Sequence, residues 1–334
     1  LFDHAVGLDL ANWNGPFAAL AISGDGARFL GVRPDGSIAL GECDSGDSIE
    51  AWCLPETHRS VTTASLDERG ITFAVGLADG SIFIGGDGLG DPTPSAGVHD
   101  GAVTALAPAP SGAGFISGGL DGRVLHIPLA SDACVDVIGV QAPVFAVAAD
   151  PLSGQVAAAG ADGRVHVHTP ELNQSFLLDA ELGPVTALSF ESSRGALAAA
   201  GSSGVAVWST HDRRLLALVP GVRSVSHGVA FATPDRLVVA GTWALDVIDL
   251  ELMESIESVP VNARVGALAD DASLLISDRG DGYGPGGLIV HDPSAHALRR
   301  IEPVVTSVLA LGPERLLRGH ADGTVSMGPP GAPG

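Results

Sequence analysis

The sequence contains no lysine. All 17 of its basic residues are arginine, set against 39 acidic ones, for a formal net charge of −22. A field of that sign repels phosphate backbones and anionic lipid, which argues against DNA, RNA or direct membrane insertion and favours a basic protein partner. Aromatic residues make up only 4% of the chain, with a single tyrosine. The three cysteines are too few for a disulfide framework, and no CxxC or Cys/His spacing suits zinc. Cys43 and Cys53 flank Ser48 symmetrically in an expected hairpin, where two strands would bring them face to face; two reduced thiols is the simpler reading. No apolar run reaches the length of a membrane span, and no basic stretch followed by an apolar one opens the chain. A cytoplasmic, bacterial protein is the expectation. A periplasmic one stays open, because the chain begins LFDHAV without methionine.

Glycine (45) and proline (22) are plentiful and spread evenly over 334 residues, which points to many tight turns and not to a disordered segment. They punctuate a repeat. About every 41 residues a short apolar run is followed by a second, a Gly-rich turn and a third. The eight starts fall at Phe17, Val61, Val103, Val144, Val185, Ser226, Val265 and Val305. Residues 99–129 show the unit well: VTALA, then GFISGG, then the turn LDG, then the alternating RVLHI; CVDVIGV, just after them at 134–140, is a fourth run. Asp-Gly supplies the positive φ that a two-residue hairpin needs.

Four short strands per unit, in meander order and without helical periodicity, make a propeller blade. Such a sheet has two apolar faces and buries both only against neighbours, and closure into a ring protects the edges. Small residues in the second strand (AAAG, SGG, AVG) fit the crowding near the axis. The tail GPPGAPG cannot supply a ladder strand, since proline lacks the N–H. The eighth unit is therefore one strand short, and residues 1–6 are expected to complete it. The expected architecture is a single closed β-propeller over residues 1–328, with a flexible Pro/Gly tail at 329–334. It has eight blades, or seven if irregular units six and seven share one. The longest interruptions, residues 87–97 and 277–287, read as loops.

The pattern resembles the WD-repeat family of β-propellers, in degenerate form. His99, Ser117 and Asp121 match the family's His before the first strand, Ser in the second and Asp in the turn. Asp35, Asp79, Asp162 and Asp322 match the turn Asp, Trp208 matches the Trp, and His291-Asp292 and Ile248-Asp249 stand in place of Trp-Asp. The resemblance implies a structural hydrogen-bond network of His99, Ser117 and Asp121, where a triad would otherwise be suspected. It also implies a non-catalytic platform for protein contacts.

Other constellations are weaker. His166 and His168 share one face of a strand but lack a third zinc ligand nearby. His211-Asp212 reads as a surface turn. The turn aspartates would make one rim acidic, a feature that turn chemistry alone explains. Residues 280–287 (GDGYGPGG) lack the P-loop lysine and a following helix. The partner-binding candidates are Trp13, Trp243 and Tyr283, with Arg223 and Arg264 beside them, all in or next to segments expected on one propeller rim. No catalytic residue, metal or cofactor is expected. The expectation is a non-enzymatic scaffold or assembly subunit. The alternative is a propeller enzyme or small-ligand binder working at the mouth of the central channel.

Overall fold

Short runs of valine, alanine and glycine, each cut by a turn, fold as strands throughout. The computed structural model of the chain describes residues 18–23, 28–42, 48–55, 58, 60–110, 112, 114–129, 134–221, 226–241, 244–260, 263–268, 274–278, 287–292, 297–303, 305–310, 316–320 and 325–328, with the backbone alone beyond Ser258. Among them the strands form eight antiparallel sheets, seven of four strands and a last one of three, each in simple meander order. The only helical piece in the described residues is a 3-10 turn at Pro170–Leu172.

The first strands of the sheets are Ala19–Ile22, Val61–Leu66, Val103–Pro108, Val144–Ala149, Val185–Glu191, Ser226–Thr233, Ala263–Leu268 and Val305–Ala310. Six of them begin at the residue the repeat marks. The seventh begins two residues earlier than Val265, and Phe17 lies outside the described residues. The two irregular units form separate sheets, Ser226–Thr233 through Glu254–Pro260 and Ala263–Leu268 through Ala297–Pro303. The first strands neighbour one another in order from sheet one to sheet eight, and those of sheets seven and eight both approach that of sheet one. Residues 1–6 and 329–334, expected as clasp and tail, lie outside the described residues.

The cores lie between sheets. One cluster joins Leu30, Ile38, Leu40 and Trp52 of the first sheet to Phe73, Val75 and Phe83 of the second. Trp52 and Phe73 meet with ring centroids 4.9 Å apart. Equivalent clusters fill the seams from the second sheet to the sixth. The second strands Thr72–Leu77, Gly114–Gly119, Val156–Gly160 and Ala196–Gly201 are buried at every residue. Their small side chains have a steric cause. A Cβ on Gly76 would stand 2.6 Å from Cγ1 of Val103 in the next sheet, and one on Gly118 would stand 2.6 Å from Cγ1 of Val144. The valines that open the third and fourth sheets each need a glycine in the sheet before.

Threonine adds a polar staple at the same place. The hydroxyl of Thr104 lies 2.9 Å from the carbonyl of Gly118 and 2.7 Å from that of Val144 in the next sheet. Thr62 repeats the arrangement with Gly76 and Val103, at 2.9 and 2.6 Å. In the first sheet Cys53 stands opposite Ser37, and Gly41 stands opposite Ser48. The hairpin therefore turns before Ser48 and not about it, so the expected facing of Cys43 and Cys53 is corrected. Cys53 is a free, exposed thiol, and Cys43 lies outside the described residues.

Candidate functional site

Each sheet has two ends. One carries the segments that lead into first strands and the turns between second and third strands. The other carries the turns between first and second strands and between third and fourth.

At the first end the turn aspartates act locally. The carboxylate of each accepts the N–H two residues on: Asp35 from Ser37 at 2.9 Å, Asp79 from Ser81 at 3.0 Å, Asp121 from Arg123 and Asp162 from Arg164, both at 3.1 Å. This is the Asx turn, which mimics a backbone turn with a side chain. The following glycines take φ of 86°, 89°, 80° and 76°. Asp322 lies outside the described residues.

Among the described residues, the third sheet builds most on its turn. His99 Nδ1 lies 2.9 Å from Asp121 Oδ1, and His99 Nε2 lies 2.9 Å from Ser117 Oγ. With Nδ1–H donating to the carboxylate, Nε2 accepts the Ser117 hydroxyl proton. Asp121 also accepts the Asp100 N–H at 2.9 Å. Burial pushes the Asp121 carboxyl up. The Arg123 N–H, the His99 ring and the Asp100 N–H outweigh burial and hold it below its ordinary value. His99 and Ser117 are 1% and 0% exposed, so substrate cannot reach the hydroxyl. Gly119 completes the fit: a Cβ there would stand 2.4 Å from His99 Nδ1.

The family model "WD domain, G-beta repeat" matches residues 92–126, which hold all three of these side chains. This stretch is a WD repeat. No curated protein matches the chain. Among solved structures, the crystal structure of the computationally designed Ika8 protein is similar over 96% of this chain and 97% of that one, with a TM-score of 0.75 and 21% identity. A likeness at that identity concerns the fold alone.

The second end, beneath the WD repeat and away from its network, holds a groove of about 590 Å³ between the third and fourth sheets. Its floor is Ile116 and Val156, which are 2% and 1% exposed. Val135 and Leu152 form its lips and are 56% and 75% exposed, so it is open to the surface. His126 and His168 line it, both with imidazole pKa values lowered by burial. Asp136 and Glu171 supply its acidic side chains, and no arginine lines it. Asp136 is held from outside by Arg123, with Nε and Nη2 at 3.0 and 3.1 Å from its two oxygens. Glu171 forms no ion pair among the described residues; the 3-10 turn at Pro170–Leu172 carries it to the rim.

Sequence reasoning did not find this groove. Its members come from strands and turns of two sheets, and no motif marks them as a group. The sequence placed His166 and His168 on one strand face. In the structure each has its own partner, His166 with Asp162 at 2.8 Å and His168 with Ser175 at 2.9 Å. His211 and Asp212 are exposed, and Trp208 is buried at 2%. Trp13, Trp243, Tyr283 and Arg223 lie outside the described residues. Arg264 is placed by its backbone alone, opposite Ser277. Among the described residues no group of three His, Cys, Asp or Glu is arranged to hold a metal, and no helix is long and apolar enough to cross a membrane.

Proposed function

We propose that this protein is a closed eight-bladed propeller that acts as a non-catalytic scaffold for protein–protein contacts. The approach of the eighth sheet's first strand to that of the first sheet supports closure. A WD repeat is in general a protein-interaction unit, and the one here carries the reading. Its His99–Ser117–Asp121 set has the hydrogen-bond order of a catalytic triad. The serine is wholly buried inside a strand, where no substrate meets it. A rigid ring contributes to binding by preorganisation, because little ordering entropy is lost when the partner docks. A net charge of −22 favours a basic partner.

Trp13, Trp243 and Tyr283, with Arg223 and Arg264, are the side chains proposed to meet that partner at the rim that carries the turn aspartates. Affinity capture of the native chain followed by mass spectrometry is expected to recover one protein in stoichiometric amount. The Trp243→Ala, Tyr283→Ala double variant is expected to lose it while circular dichroism stays unchanged. Full recovery with the double variant removes these side chains from the interface. A stoichiometric bound metal with no captured protein overturns the scaffold reading itself.

A further inference from the structure

The seam between the third and fourth sheets differs from three others at the same end of the molecule. Arg28 of the first sheet reaches Asp87 of the second at 3.0 Å and the carbonyl of Gly70 at 3.2 Å. Ser192 of the fifth sheet donates to Asp150 of the fourth at 2.6 Å. Arg194 of the fifth sheet pairs with Asp235 of the sixth. These contacts draw the turns of adjacent sheets together. Between the third and fourth sheets no such contact joins the turns among the described residues, and the groove opens there.

We infer that this groove is a docking site for an extended segment of a partner protein, one that seats an apolar side chain over Ile116 and Val156 and offers an arginine or lysine to Glu171. The inference rests on the scaffold reading above and adds a second contact region on the opposite end from the aromatic rim.

Three observations select this occupant. The floor is apolar and lies beneath exposed apolar lips, so an inserted aliphatic or aromatic side chain takes its own surface and that of Val135 and Leu152 out of water. The lining holds two carboxylates and no arginine, and one of them, Glu171, has no ion pair among the described residues. The outer strand Val135–Gly139 forms one wall and pairs on one side only among the described residues, with Arg123–Pro128. Its free edge can take a backbone laid alongside it, as in strand addition. Small-molecule sites enclose most of their ligand. Lips that are more than half exposed suit a chain passing over the groove better.

The probe is a phage library of random dodecapeptides, panned on the immobilised full chain. Enriched sequences are then made as fluorescein-labelled peptides and measured by anisotropy. The expected sequences pair one or more large apolar residues with an arginine or lysine. The exposed-residue variants Leu152→Arg and Glu171→Arg, combined, are expected to weaken them at least tenfold with an unchanged urea midpoint. Glu171→Gln alone is expected to weaken basic peptides but not their variants with the basic residue replaced.

The inference is overturned if nothing is enriched, if enriched peptides are acidic, or if the combined variant binds them as well as the parent does. It is also overturned if Leu152→Arg abolishes self-association seen by sedimentation, because the groove then belongs to a second copy of the chain. The two readings fail separately. Panning without enrichment, beside stoichiometric capture of a protein, ends this inference and leaves the scaffold standing.

Discussion

The two ends of the sheets are held together by different kinds of contact. At the end with the turn aspartates, the repeated bonds run between residues two apart, and each sheet makes them alone. At the other end the bonds cross seams and join residues 41 to 59 apart, as between Arg194 and Asp235 or between Arg28 and Asp87. The first end therefore repeats one local turn in sheets one to four, and its seam-crossing bonds are those that Thr62 and Thr104 make to the valine opening the next sheet. The second varies seam by seam: among the described residues such contacts join three seams, and the seam between the third and fourth sheets opens as a groove. Repeated turns are suited to holding each sheet in the same geometry. A variable end is where one seam can differ from the rest and acquire a use.

The largest effect should come from breaking the first end where it is most developed. Gly119→Val puts a side chain against the His99 ring and the Asp121 carboxylate. A loss of about 3 kcal/mol is expected, since overpacking is compounded by unpaired buried polar groups. Gly139 in the same sheet has nothing within 4 Å of an added Cβ, so Gly139→Ala should change stability by less than about 0.5 kcal/mol. Urea unfolding of the two variants measures the contrast. If they are equally stable, the network does not hold the third sheet.

One aspartate from each end sharpens the comparison. Asp150 is 1% exposed and accepts from Ser192, from Ser153 at 2.5 Å and from the Leu152 N–H at 3.1 Å. Asp150→Ala leaves these donors without their acceptor and should cost about 2 kcal/mol. Asp79 is exposed and serves only its own turn, so Asp79→Ala should cost about 0.5–1 kcal/mol. Equal losses on urea unfolding would mean that the seam-crossing bonds carry no special weight.

The same division explains what the sequence made legible. Strand starts, meander order, the turn aspartates and the set His99, Ser117 and Asp121 all follow from local spacing, and the structure places those three side chains within hydrogen-bond distance. Gly76 and Gly118 were readable only as small residues; that each receives the next sheet's valine is a contact across a seam. The clasp of Asp150 by Ser192 and the groove over Ile116 and Val156 had no local mark, because their parts lie about one repeat apart and meet only when sheets stack. The Cys43–Cys53 reading failed for a related reason. Symmetry about Ser48 took the centre of the hairpin from spacing, whereas strand register put Cys53 opposite Ser37. A slip in the assumed centre changes every facing pair.

Acid should test both ends in sequence. His126 and His168, in the groove, have folded-state pKa values lowered by burial. Below about pH 6.5 the unfolded chain takes up protons that the folded one resists, so stability falls as pH drops through that value. The Asp121 carboxyl is also lowered, so its contribution is present above about pH 4 and is lost as pH falls further. Urea midpoints taken from pH 7.5 to 3 should therefore decline in two stages. His126→Phe with His168→Phe should flatten the upper stage and leave the lower one. A profile unchanged above pH 5 by that pair of substitutions would remove the groove histidines from the account.

The smallest effect expected is at the ion pair that closes the first seam. Arg28 and Asp87 have side chains 23% and 39% exposed, so solvent and salt weaken their attraction. A double-mutant cycle with Arg28→Ala and Asp87→Ala should give a coupling of about 0.5 kcal/mol, most of it lost at 1 M salt. Arg28 should nevertheless cost more alone than its partner does, because its guanidinium also donates to the Gly70 carbonyl and its stem packs against Gly70, where an added Cβ would stand 2.6 Å from Arg28 Cβ. If the two single variants cost the same and the coupling persists in salt, the pair acts as a buried bridge, and the seam-crossing end is held by charge more than by fit.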